Sequence, residues 1–190
     1  MKVPGILAPK WRAGLESWAS DKRGIAAVEF ALIATPFFFL IFGLLEICVI
    51  FIMTALMENA LNEAARQIRT GQLQAGGGGQ AAFVASVCDQ MHAMMPDCMT
   101  SLKIDSQVFA DFGSTGAAPT SSLLDSDGNL NDSNFTYMPG NENDIVVARI
   151  FYEWDLLVPG LSGPLANMSS NRRLLQATVA FRNEPFGGGS

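Results

Sequence analysis

Chemistry in this chain is concentrated at a few places, and the first is a junction. In Lys22-Arg23-Gly24-Ile25-Ala26-Ala27-Val28-Glu29-Phe30, charge stops at Gly24 and apolar residues begin, with one carboxylate five residues later. An ionised carboxylate entering a membrane core is costly unless it is paired. Cleavage after Gly24 would create a positive α-amino group on Ile25, about one helical turn from Glu29. The two charges could then pair within the chain or between neighbouring helices. The alternative is an interfacial glutamate tolerated by the helix dipole near its start. Glu46 lies seventeen residues beyond Glu29, about 25 Å along a helix. It is either a carboxylate seeking a basic or polar partner on a neighbouring helix, or a group neutralised by protonation or wetted at the far interface.

The thiols and the imidazole form the second group. Cys88 and Cys98 bracket one short stretch, Cys48 stands far upstream, and His92 is the only histidine. In an oxidising compartment two such cysteines read as a disulfide. Two thiols and one imidazole make an incomplete zinc set, so no metal and no cofactor is expected, and His92 reads as a surface or packing residue. Asp125-Ser126-Asp127-Gly128-Asn129-Leu130-Asn131-Asp132 sets oxygen ligands at alternate positions. It departs from the EF-hand order, with Gly128 too early and no glutamate at the twelfth position, and reads as a solvated loop over 125–134. The Gly76–Gly79 run lacks the Gly-Lys-Ser/Thr of a phosphate cradle. No Ser/His/Asp or metal-ligand set is visible, so catalytic residues are not expected, scattered carboxylates being the one remaining acid–base possibility.

The elements that must position these groups start with a hydrophobic block. From Ile25 to Met57 only Glu29 and Glu46 are charged. A helix needs only about 20 residues to cross the hydrocarbon core, so this run is longer than one span, and it is too long for a removable secretory signal. Pro36 removes one helix hydrogen bond and favours a kink. Residues 1–24 hold five basic groups against two acidic ones, a net of +3, and since the whole chain carries −6 the remainder carries −9. Basic before the span and acidic after it indicates an N-terminus held inside. The acidic remainder argues against nucleic acid as a partner.

Beyond the span, Met53, Met57, Leu61, Ala64 and Ile68 recur at helical spacing, with Glu58, Asn62, Glu63, Arg66 and Arg69 on the wet side. Gly71 is a C-terminal stop, so one helix covers about 25–70. Residues 71–80 read as a Gly-rich flexible linker, and a second helix fits 80–95, ended by Pro96. Three stretches then alternate like strands. Leu102, Ile104, Val108 and Phe112 oppose Lys103, Asp105, Gln107 and Asp111. Val146 to Leu156 opposes Arg149, Glu153 and Asp155, and Leu175 to Phe181 opposes Gln176, Thr178 and Arg182. One apolar face per strand suits an antiparallel sheet covered on one side by helices. Residues 113–144 and 158–171 read as loops and 185–190 as a loose tail. The fold expected is α+β: a long N-terminal transmembrane helix, then a small domain over 81–190 with a short helix and an antiparallel sheet of about three strands.

Gly-x-x-x-x-Glu-Phe beside a basic leader resembles the prepilin processing site of type IV pilins. The wider stretch Arg23-Gly24-Ile25-Ala26-Ala27-Val28-Glu29-Phe30-Ala31-Leu32, with Pro36, Phe42-Gly43-Leu44-Leu45-Glu46 and Glu58-Asn59-Ala60-Leu61-Asn62-Glu63-Ala64-Ala65-Arg66, resembles the TadE-like family, minor pseudopilins of the tight-adherence (Flp) pilus system. The resemblance implies a cytoplasmic leader over 1–24 cut between Gly24 and Ile25 by a prepilin peptidase, and Glu29 and Phe30 serving processing and assembly. It further implies partner pilin or pseudopilin subunits with their assembly machinery, an inner-membrane location with the C-terminal domain periplasmic, and no catalytic activity. Incorporation into the pilus itself is left open. The alternative is an uncleaved single-pass envelope scaffold.

Overall fold

A computed structural model describes residues 24–117, 123–158, 160 and 162–186. The leader before Gly24 lies outside the described residues. Helix α1 runs Ile25–Arg69 and continues through Pro36. The chain divides into two units, one ending at Phe42 and the other spanning Gly43–Ser190. In the first unit the described residues are exposed and apolar, apart from the exposed Glu29 and Thr35, with Ala34 half-buried. α1 as a whole is long and apolar enough to cross a membrane, and fits a single-pass membrane protein.

In the second unit burial along α1 begins at Gly43 and recurs at Glu46, Ile50, Met53, Met57, Leu61, Ala64 and Ile68. The spacing of three and four is what one face of a helix requires. The extended helix is therefore part of the domain core, and the domain starts well before residue 81. Gly71 stops α1 with φ +74°, its N–H donating to Ile68 O at 3.0 Å. Residues 71–80 are not a plain linker: α2 (Gln72–Ala75) forms there, and Leu73 is buried. Helix α3 (Gln80–Met91) buries Phe83, Val84, Val87 and Met91, and α4 (Cys98–Ser101) follows.

Strands β1 (Lys103–Phe109), β2 (Ile145–Asp155) and β3 (Arg172–Arg182) form an antiparallel sheet in the order β1-β2-β3. The even-numbered face of β2, with Val146, Ala148, Ile150 and Tyr152, joins α1 and α3 in the main core. Leu175, Ala177 and Phe181 of β3 complete it.

The expectation of a sheet covered on one side only is corrected. Phe151, on the opposite face, is fully buried, and Phe135 stacks on it at 4.9 Å between ring centroids. Asp105 and Arg149 are buried on that face too. The cover comes from the polar stretch after β1: Ser106 N donates to Thr136 O at 2.7 Å and Met138 N to Ser106 O at 3.0 Å, so residues 136–138 lie along the outer edge of β1. Val108 and Phe112, assigned to the apolar face, are exposed. A short helix α5 (Ser162–Leu165) interrupts the loop after β2. Just before the tail, Glu184 N donates to Arg69 O at 2.8 Å.

Candidate processing and assembly site

Gly24 stands exposed at the start of α1, and a Cβ built on it would meet no atom within 4 Å. Nothing in the described chain needs glycine there. Ile25, Glu29 and Phe30 are exposed as well. Ile25 and Glu29 are four residues apart on one helix and therefore share a face, the arrangement an amine on Ile25 would use to reach the carboxylate. Among the described residues no hydrogen bond or ion pair to Glu29 is found.

Glu46 has a different environment, which sequence reasoning missed. It is 4% exposed. Its carboxylate accepts the backbone N–H of Leu157 and, at 3.1 Å, that of Val158. Within the chain its partner is the loop after β2. A carboxylate accepting two N–H groups satisfies donors that a loop cannot pair by itself. The chain offered no local signal for this, since loop and glutamate are 111 and 112 residues apart.

Cys88 of α3 and Cys98 of α4 form a disulfide with Cα atoms 5.6 Å apart. Both are buried, whereas Cys48 is exposed and His92 caps the exposed end of α3. Beside the disulfide, Tyr152 donates its hydroxyl to Asp97 Oδ1 at 3.0 Å and Ser101 donates to Asp97 Oδ2 at 2.7 Å. The Ser101 hydrogen bond leads in holding the Asp97 carboxyl below its usual value. Burial, helped by Asp97, pushes the Tyr152 phenol up to about 12. Together these contacts tie α4 to α3 and β2.

In the loop read against calcium, the oxygens serve the chain itself. Asp125 Oδ1 accepts the N–H groups of Asp127 and Asn129, Asn129 Oδ1 accepts from Ser169 and Arg172, and Asp132 pairs with Lys103. No group of three or more metal-ligating side chains occurs among the described residues.

Residues 24–66 match the model of the TadE-like protein family. This segment is TadE-like. The match begins at Gly24 and contains Ile25, Glu29, Phe30 and Glu46, so it takes in the junction, the exposed apolar helix and the first core-facing turns of the second unit. No curated protein and no solved structure matches the chain.

Proposed function

We propose that this protein is a minor pseudopilin, a structural component or assembly factor of the Tad (Flp) type IV pilus, and that a prepilin peptidase cleaves it between Gly24 and Ile25. The observation that carries the reading is Gly24, exposed and sterically unconstrained, at the head of an exposed apolar helix inside the TadE-like segment. A glycine whose Cβ would meet none of the described residues fits recognition by another molecule. After cleavage the Ile25 amine and Glu29 neutralise one another, which lowers the cost of holding either in lipid. Helices of neighbouring subunits then pack side by side, with Phe30 among the contacts.

The N-terminus lies in the cytoplasm and the domain in the periplasm of the inner membrane. The charge reversal across the span supports this orientation, and so does the disulfide, since such bonds persist in oxidising compartments. Its partners are the prepilin peptidase, other pilin or pseudopilin subunits with the assembly machinery, and the bilayer.

The test is the N-terminal sequence and intact mass of the protein recovered from membranes, beside a Gly24→Ala sample. The expected result is a chain starting at Ile25 in the first sample and an uncleaved chain in the second. An intact leader in both overturns the reading and leaves an anchored scaffold.

A further inference from the structure

We infer that the outer edge of β3 is a docking site at which an extended segment of another protein adds a strand to the sheet, a segment apolar at alternate positions and acidic at its ends. The inference rests on neither cleavage nor the pilus reading.

The chain treats the two edges of its sheet differently. Beyond β1, Ser106 bridges to Tyr137, and its N–H and C=O are taken by Thr136 and Met138. Beyond β3 such pairing stops. Successive residues of a strand point their N–H and C=O to opposite sides. Arg172 O accepts Met168 N at 3.1 Å, and Leu174 N donates to Asn167 Oδ1 at 2.7 Å, so these two residues point away from β2. The odd-numbered neighbours agree: Asn171 O accepts Leu156 N, and Asn183 N donates to Asp144 O, both toward the β2 side. Gln176, Thr178, Ala180 and Arg182 therefore point outward as well. Among the described residues no hydrogen bond meets their backbone groups.

Nothing local protects this edge. The register with β2 runs from Arg182 opposite Ile145 to Arg172 opposite Asp155 without a bulge. The strand holds neither proline nor lysine, and the side chains of Gln176, Thr178 and Ala180 are exposed. An edge without such devices is a template for another strand. The open window, 176–182, is about 20 Å long at 3.3 Å per residue.

The walls beside the window set the chemistry of the occupant. Two hollows lie between the 47–69 part of α1 and β3. One, of about 410 Å³, has Ile50, Phe51 and Leu175 in its walls, and the other, of about 140 Å³, has Ala65, Val179 and Phe181. An added strand would turn every second side chain toward them, and such alternate pockets are how strand addition selects its segment. Charge selects the ends. Beyond residue 24 the chain is acidic, yet β3 carries three arginines and no acidic residue. Arg172 is paired with Glu153. Arg173 and Arg182 donate only to the backbone carbonyls of Leu165 and Asn143 among the described residues. Two cations without carboxylate partners thus stand near the two ends of the strand, which favours carboxylates at the ends of the segment.

The experiment uses the full chain in detergent micelles. The probe is a fluorescein-labelled peptide of nine residues, alternating valine and threonine with a glutamate at each end. Its controls are the same peptide with lysine at each end and one N-methylated at alternate positions. Fluorescence anisotropy measures binding, amide hydrogen exchange follows residues 172–182, and analytical ultracentrifugation gives the oligomeric state. The expected result is fast exchange over 176–182 in the free chain, slowed when the glutamate peptide binds. That peptide should bind several-fold more tightly than the lysine peptide, a preference lost in Arg173→Gln/Arg182→Gln, and the N-methylated peptide should not bind. Thr178→Pro, which removes one outward N–H at an edge position that tolerates proline, should weaken binding at least several-fold. Absence of binding at millimolar peptide, or equal binding of the N-methylated peptide, overturns the inference. Equal binding of the glutamate and lysine peptides overturns the acidic character of the partner. Slow exchange over 176–182 in the free chain overturns the open edge, in favour of a second copy if the chain sediments as a dimer and of its own chain if it sediments as a monomer.

Discussion

Asp105 and Arg149 face each other directly across β1 and β2, and both side chains are buried on the sheet face where Phe135 stacks on Phe151. Arg149 Nε donates to Asp105 Oδ2 at 3.2 Å, while Thr136 N donates to Asp105 Oδ1 at 3.1 Å. The aspartate therefore joins two strands and their cover at one point. Losing one partner leaves a buried charge without compensation. Arg149→Ala should destabilise the domain by about 3–5 kcal/mol, and an Asp105→Leu/Arg149→Met pair by much less. Thermal unfolding of the two variants in detergent, followed by circular dichroism, checks this. Equal losses would mean that packing rather than charge pairing accounts for the effect.

The disulfide closes a loop of about ten residues, which by chain entropy contributes about 2–3 kcal/mol. Cys88→Ala/Cys98→Ala should lower the melting temperature correspondingly. Reductant should lower the melting temperature of the native chain and leave that of the double variant unmoved.

The two glycines at the ends of α1 should respond in opposite ways. A Cβ at Gly71 would fall 2.3 Å from the Phe186 ring, at a backbone φ of +74°. Gly71→Ala should cost about 1–3 kcal/mol through strain and displacement of that ring. Gly24→Ala, with open space around it, should leave the melting temperature unchanged. This separates its effect on processing from any effect on folding.

Tyr137 packs its ring against Phe83 at 5.9 Å, but its buried hydroxyl has no hydrogen-bond partner among the described residues. Tyr137→Phe should therefore be neutral or stabilise by up to about 1 kcal/mol, because an unpaired buried hydroxyl opposes folding. Chemical denaturation of the variant beside the native chain measures the difference.

The same burial gives an alkaline limit to stability. Burial pushes the Tyr137 phenol up to about 12, and burial with the Asp97 hydrogen bond does the same for Tyr152. Above the ordinary value of 10.0 the unfolded chain releases protons that the folded one keeps. Stability should be fully present below that value and fall as pH rises toward 12. A melting series over this range, repeated on Tyr152→Phe, should show a shallower decline in the variant.

Along α1 the reading from residues and the folded chain agree, because every signal there is local. The Met53 to Ile68 stripe, the stop at Gly71 and the apolar span depend on neighbours three or four positions away. The strand stretches were legible for a similar reason. The misassigned positions are those whose environment is supplied from elsewhere. Alternation in β1 put Asp105 on a wet face, but it is buried because a polar stretch about thirty residues further along folds back across it. That stretch reads as loop by composition, and its scattered apolar residues, Leu130, Phe135 and Tyr137 among them, show no period that would place them.

The sequence by itself determined an apolar stretch long enough to cross a membrane, the extended helix and its apolar stripe, the Gly24–Glu29 junction and the three strands, since composition and short periodicity are sufficient for each. Tertiary structure alone decided what Glu46 and Asp105 bind, that both faces of the sheet are covered, and that Glu184, just before the tail, returns to the end of α1. A carboxylate takes whichever donors the fold brings within about 3 Å of it. For Glu46 those donors come from over a hundred residues away, a distance across which pattern carries no information about pairing.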